Sequence, residues 1–222
     1  MQENDDLGEV LLIDKPYRWS SFDVVKKLRN AGKYKKVGHA GTLDPLATGL
    51  LILCTGKMTK QIDTFQAQEK EYTGTLVLGK TTPSMDLETE VDQEYETNHI
   101  TEALLHQAAQ QWTGVIQQIP PIFSAIRING ERLYKKARRG EMVEIQPREV
   151  TITAFELTRI EMPEVDFRVV CSKGTYIRSL ARDFGLTLQS GAYLSALRRT
   201  RIGSFQVSEA LTVENFIQRQ NI

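Results

Sequence analysis

Leu50-Leu51-Ile52-Leu53-Cys54 is the longest apolar run in this 222-residue chain. Five residues fall far short of the ~20 that a membrane-spanning helix needs. A short, uninterrupted apolar run after Gly49 reads as a fully buried strand, so the core must form around it. Hydrophobic content of 41% and charged content of 25% are ordinary globular values and exclude global disorder. Met1 to Glu9 carries Glu3, Asp5, Asp6 and Glu9, the wrong charge for a signal or transit peptide, so cytoplasm is the expected compartment. Cys54 and Cys171 read as small buried hydrophobes. His99, Glu102 and His106 share a helical face, but no CxxC or HExxH spacing supports them, and no metal is assigned.

Other elements follow from local pattern. Val10 to Asp14 reads as a strand ended by Lys15-Pro16. Ser20 with Asp23 three residues on resembles a capping box, predicting a helix to about Asn30 that Gly32 stops. Gly38 to Gly49 reads as a loop, and Tyr72 to Gly79 as a strand. Thr101 caps a helix whose Leu104, Leu105, Ala108 and Trp112 share a face, with Gly114 as its stop. Val150 to Ile160 and Val165 to Cys171 read as paired strands about a turn at Pro163, followed by a helix from about Thr175 to Gly185. Strands and helices mix without a strict βαβ rhythm, which predicts an α+β fold on a mixed, largely antiparallel sheet flanked by helices and loops. No repeat or linker divides the chain, so a single domain over residues 1–222 is expected.

The formal net charge is zero, from 28 basic and 28 acidic residues, but the charges are segregated. Asp86 to Glu102 holds seven acids and no Lys or Arg, whereas Lys26 to Lys36 holds six basic residues and no acid. Arg127 to Arg139 holds six more against Glu131 alone, and Arg198, Arg199 and Arg201 form a third basic cluster. A solvated face accounts for any one run; three of them point to a basic stripe suited to phosphates.

Gly38-His39-Ala40-Gly41-Thr42-Leu43-Asp44-Pro45-Leu46-Ala47-Thr48-Gly49 is the most unusual segment. Its glycines permit tight turns and close approach of another molecule. Pro45 holds Asp44 out of the helical region, so the carboxylate is offered from an extended or turn backbone anchored by the buried strand. By spacing alone, an Asp before Pro reads first as a turn former that bonds its own backbone.

The segment as a whole closely resembles the active-site motif of TruB-type tRNA pseudouridine synthases. Leu12-Ile13-Asp14-Lys15-Pro16 with Ser20-Ser21, Lys70-Glu71-Tyr72, Gln118-Ile119-Pro120-Pro121 with Ser124-Ala125, Tyr134 with Ala137-Arg138, Cys171 to Arg178, and Leu197-Arg198-Arg199-Thr200 resemble the same family in the same order. The resemblance runs from about residue 8 to 212. It implies a pseudouridine synthase catalytic fold and isomerisation of uridine 55 in the T loop of tRNA. The N1–C1′ bond breaks, the uracil turns, and C5 bonds to C1′. That reaction needs no cofactor, and the chain shows no nucleotide-binding loop or metal set.

By the same resemblance Asp44 is the essential aspartate, acting by addition to C1′ or by removal of the C2′ proton, and Arg178 is the cation paired with it. Tyr72 stacks on the uracil, Tyr176 and Leu197 line its pocket, and His39 packs into the stack that the flipped base leaves. Lys60 lies at a basic position of the family. Residues 122–141 resemble an RNA-gripping insertion whose Arg127, Arg132, Lys135, Lys136, Arg138 and Arg139 meet phosphates, with Arg198 and Arg199 adding a further cluster. Phe123 stands where the family commonly has Tyr, Tyr193 where it has His, and Leu87-Glu88-Thr89 lacks the usual glycine after Asp86. The sequence ends at Ile222, so no C-terminal module of PUA type is expected. The expected partner is the T arm of tRNA, with no membrane, no obligatory protein partner and a monomeric chain. Two alternatives remain: a guide-dependent synthase of the dyskerin type, and a non-catalytic RNA-binding or tRNA-folding module.

Overall fold

The structure is a computed structural model and describes residues 7–124, 127–128, 131–132, 139 and 143–220. In chain order its elements are β1 (Val10–Lys15), α1 (Ser21–Ala31), β2 (Val37–His39), β3 (Thr48–Thr55), α2 (Ile62–Ala67), β4 (Lys70–Leu78), β5 (Lys80–Thr81), β6 (Gln93–Glu94) and α3 (Glu102–Gln111). There follow β7 (Gly114–Gln118), β8 (Arg127–Ile128), β9 (Glu131–Arg132), β10 (Arg148–Glu161), β11 (Glu164–Cys171), α4 (Ile177–Thr187), β12 (Ala192–Ile202), β13 (Phe205–Gln206), β14 (Leu211–Thr212) and α5 (Val213–Gln220). The fold is α+β with a mixed sheet, as expected. Its contacts divide into two compact units, Met1–Thr73 with Ala196–Ile222, and Gly74–Ser195.

The first unit is built around β3. Strand β1 runs antiparallel to β3, pairing Ile13 with Leu51, while β14 lies parallel on β1. On the other side of β3, β2 pairs antiparallel through His39 and Leu53, and β12 pairs parallel through Arg199 and Gly49. Leu51 and Leu53 pack with Val24, Val25 and Leu28 of α1 and with Val213 and Phe216 of α5. Leu50, Ile52 and Cys54 pack on the opposite face with Ala40 and Ile202. Both faces are covered, which is why the run contains no polar alternate. Helix α1 has the full capping box at Ser20 and Asp23, and Gly32 closes it with bonds to the Leu28 and Asn30 carbonyls. The loop expected over Gly38 to Gly49 is shorter. Gly38 and His39 join β2, and Thr48 and Gly49 open β3, leaving residues 40–47 between the strands.

In the second unit β11 and β10 form a long antiparallel hairpin, and β7 pairs with β10 from Gly114 to Gln118. Val165, Phe167, Val169 and Cys171 point to the buried face. Phe155 meets Phe184 of α4 with centroids 5.4 Å apart. Helix α3 starts at the Thr101 cap, but its buried face is Leu105, Ala108 and Ala109. Leu104 is 41% exposed, because the stripe falls at i, i+3, i+4 from Leu105. His99 uses Nε2 on the Leu188 carbonyl at 2.9 Å. No helix among the described residues is long and apolar enough to cross a membrane.

Candidate active site

Asp44 sits at the first position of a turn closed by the Ala47 N–H, which donates to the Asp44 carbonyl at 3.1 Å. Pro45 occupies the next position, where its fixed φ suits such a turn. The flanking residues are tied down by buried contacts. The Ser21 hydroxyl donates to the Leu43 carbonyl at 3.1 Å and accepts from the Leu43 N–H at 2.9 Å. The Arg18 N–H donates to the Pro45 carbonyl at 2.9 Å.

Two fully buried cations brace this loop. Lys15, at the end of β1, donates from Nζ to the carbonyls of Trp19 at 2.5 Å, Pro16 at 3.0 Å and Pro45 at 3.3 Å. Its three donors are matched by three acceptors. Burial lowers its pKa to about 8; the Asp44 charge opposes the fall and the Arg199 charge adds to it. Arg199, on β12, donates from Nε to the Leu50 carbonyl at 2.8 Å and from Nη2 to the Gly41 carbonyl at 3.1 Å. The approach is close enough that Gly49 is required: its φ is +104°, and a Cβ there would lie 2.2 Å from the Arg199 carbonyl oxygen. His39 is half-buried with Nδ1 unpartnered, and burial with the nearby Arg199 charge holds its pKa below the usual value. Both effects favour the neutral ring, and a backbone bond with Gly41 opposes them.

The other expected residues of this unit lie on its strands and turns. Tyr72 on β4 is 9% exposed. Its neighbour Glu71 accepts from the Thr200 hydroxyl of β12 at 2.8 Å. Leu197 is half-buried on β12, and Lys60 is exposed in a 3-10 turn over Gly56–Gln61. Arg198 forks onto Asp14, Nη1 to Oδ1 at 3.0 Å and Nη2 to Oδ2 at 2.7 Å. Arg199, expected on a phosphate, is 1% exposed and spends its guanidinium on backbone carbonyls inside the unit.

In the second unit Arg178 is buried at the start of α4. Its Nη2 donates to the Phe123 carbonyl at 2.8 Å, Nη1 to the Ser84 carbonyl at 3.2 Å, and Nε lies 3.7 Å from Asp86 Oδ2. Phe123, one of the departures from the family pattern, thus contributes through its backbone. Tyr176 caps α4, and the Gln118 amide clamps it, accepting from its N–H at 2.8 Å and donating to its carbonyl at 3.2 Å. The Arg148 guanidinium lies over the Tyr176 ring, 5.5 Å from its centroid.

Of the expected phosphate contacts, Arg127 and Arg132 pair through their backbones in the β8–β9 ribbon, and Arg139 is exposed in a turn. Lys135, Lys136 and Arg138 lie outside the described residues. Sequence reasoning assigned no role to Lys15, Ser21, Asp86 or Gln118. All four fall in or beside stretches that resemble the family, but their work is done by long-range contacts to backbone or a buried side chain, which local pattern does not show.

Comparison with known proteins gives this arrangement its context. The model of the TruB family pseudouridylate synthase N-terminal domain matches residues 29–177, and that of the tRNA pseudouridylate synthase B C-terminal domain matches residues 178–222. The chain is 58% identical over 216 residues to tRNA pseudouridine synthase B of Flavobacterium johnsoniae, covering 94% of each protein. It is 54% identical to that of Phocaeicola vulgatus, covering 94% of this chain and 92% of the relative. Among solved structures it resembles a chain of a Cbf5-Nop10-Gar1 complex, with TM-score 0.75 and 29% identity. That match covers 97% of this chain and 55% of the other. These likenesses place the chain among the pseudouridine synthases, which are isomerases. Within them it belongs to the TruB family.

Proposed function

We propose that this chain isomerises uridine 55 in the T loop of tRNA to pseudouridine, with Asp44 as the group that attacks the ribose. The observation that carries the reading is the Asp44 turn itself. Its carboxylate is offered from a loop of eight residues, 40–47, that runs from β2 into the buried strand β3 and is braced by Lys15, Ser21 and Arg199. Rigid support of this kind holds a reacting group to the geometry that catalysis needs.

The reaction balances without any added group. The N1–C1′ bond breaks and its electron pair leaves with the uracil. The ring turns, C5 bonds to C1′, C5 loses its proton and N1 gains one. Asp44 acts first, by addition at C1′ or by taking the C2′ proton, and it is restored at the end. Tyr72 is the stacking platform for the flipped uracil, with Tyr176 and Leu197 as pocket walls. A neutral His39 ring fits beside unstacked bases better than a charged one. For the cation of the site we assign Arg178, oriented within its unit by Asp86, Ser84 and Phe123. Lys60, Arg198 and the segment 127–139 are proposed phosphate contacts. The reading takes the enzyme to act in the cytoplasm and without an obligatory protein partner.

The test is purified protein with an unmodified tRNA transcript and no added RNA. Pseudouridine is expected at position 55, absent from a transcript with cytidine there. Product at another position refutes the site, product only with a guide RNA points to the dyskerin type, and binding without product points to a folding module.

A further inference from the structure

The strongest unassigned feature of the first unit is a surface cleft of about 400 Å³ lined by Arg18, Trp19, Asp23, Lys26, Lys27 and Asn30. Arg18, Lys26 and Lys27 bring three positive charges to it and are exposed. Its one carboxylate, Asp23, accepts at Oδ2 from the Ser20 N–H at 2.9 Å and the Ser20 hydroxyl at 2.6 Å, bonds that keep it ionised, so the cleft holds three positive charges against one negative. No ion pair involving Lys26 or Lys27 occurs among the described residues. Such a cleft attracts a polyanion, and its indole wall adds a flat surface beside the charges.

The cleft is also joined to the Asp44 loop. The Arg18 N–H and the Lys15 ammonium both reach the Pro45 carbonyl, and the same ammonium holds the Trp19 carbonyl. The wall of the cleft and the turn that presents Asp44 are thus one hydrogen-bonded piece. Arg18 adopts φ +65°, a left-handed conformation that disfavours a long side chain. Its guanidinium lies over the Tyr17 ring, 5.5 Å from the centroid, so the side chain is held at the surface beside the cleft. A strained arginine here gives up stability to present a cation, a cost of the kind found at functional sites.

We propose that this cleft is a phosphate-binding subsite for the RNA strand that carries the target nucleotide, with Arg18, Lys26 and Lys27 as the contacting cations. The proposal rests on the RNA substrate inferred above and adds where its backbone lies. A nucleotide held at Asp44 has neighbouring phosphates within a few ångströms of chain, and the cleft is the charged surface hydrogen-bonded to that loop. A membrane surface or a protein acid patch would not explain the link to Pro45.

The test is the variant R18G/K26Q/K27Q, compared with the wild type for affinity toward an unmodified tRNA transcript at several salt concentrations. The Arg18→Gly change keeps the N–H that bonds Pro45 and suits φ +65°, so the fold is kept and thermal stability should be equal or higher. Lys→Gln is mild on an exposed helix face. At ~0.7–0.9 per lost phosphate contact, the slope of log affinity against log salt should fall by about 2–3. An unchanged salt slope in a variant that folds, beside an active wild type, overturns the subsite. A wild type that neither binds nor modifies tRNA overturns the functional reading and this proposal with it.

Discussion

Replacing Lys15 by Met should cost stability and leave the chemistry largely intact. The ammonium is fully buried and donates to three carbonyls. With Met in its place, the Pro16 and Trp19 carbonyls lose this donor, at about 1–3 kcal/mol each. The Pro45 carbonyl still accepts from Arg18. Against this, the variant no longer buries a charge. Burial lowers the Lys15 pKa from 10.5 to about 8, and at 1.36 kcal/mol per pKa unit the relief is at most about 3.4 kcal/mol. The midpoint of the lost-donor cost, about 4 kcal/mol, exceeds the full relief by about 0.6 kcal/mol and the upper end exceeds it by about 2.6, so the balance is a net loss of up to about 2.6 kcal/mol, or a fall in Tm of up to about 10 °C for a chain of this size. Turnover should stay within about fivefold, because Ser21, Arg18 and Arg199 still hold the loop around Asp44. The assays are thermal melting and single-turnover pseudouridine formation. An unchanged Tm with turnover lost by a hundredfold would instead put Lys15 in the chemistry. The pH dependence carries a sign. Between pH 8 and 10.5 the unfolded chain keeps the lysine proton and the folded chain sheds it, so this group makes stability rise with pH. The difference in stability between wild type and Lys15→Met should therefore grow across that range.

Three further outcomes follow from the contacts. Gly49→Ala puts a Cβ 2.2 Å from the Arg199 carbonyl oxygen at φ +104°, and should lower stability by about 3 kcal/mol or more, seen as a Tm drop of about 6–12 °C. Asp86→Asn removes the charge beside buried Arg178 while keeping an acceptor for the Glu88 N–H; turnover should fall at least tenfold, measured on saturating tRNA, with tRNA affinity little changed. Tyr72→Phe keeps the stacking ring and should retain most of the affinity for the flipped base. Tyr72→Leu should lose about 1–3 kcal/mol, or about 5- to 150-fold in kcat/KM.

Local chemistry made much of this fold legible. The Ser20–Asp23 capping box and Gly32 stop appear where the sequence places them, and the Leu50 to Cys54 run is a strand covered on both faces. The β10–β11 hairpin follows from its alternation and the turn at Pro163. The β2 strand was not legible, because three residues with a glycine at their centre have no period of their own and owe their state to pairing with β3. Arg199 shows the same limit at the site. Its sequence neighbours Arg198 and Arg201 suggest a surface cluster, whereas its position opposite Gly49 carries it inward to the Leu50 and Gly41 carbonyls. Lys15 is likewise a surface residue by type and a fully buried brace by contact. Composition and period report what a residue prefers, and these two are settled by acceptors that lie far away in sequence.

The proposed role of the Asp44 carboxylate, starting the isomerisation, can be read directly from the hydrogen at C5. Forming the C5–C1′ bond expels the hydrogen at C5, so tRNA carrying tritium at uridine C5 releases it to water as product forms. Asp44→Asn keeps the size of the side chain and removes the charge and the base. This variant should bind the tRNA within about threefold of wild type, melt within a few degrees of it, and release tritium at least ~10⁴-fold more slowly, as expected when a nucleophile or base is lost. Tritium release within tenfold of wild type would mean that the Asp44 carboxylate does not start the reaction.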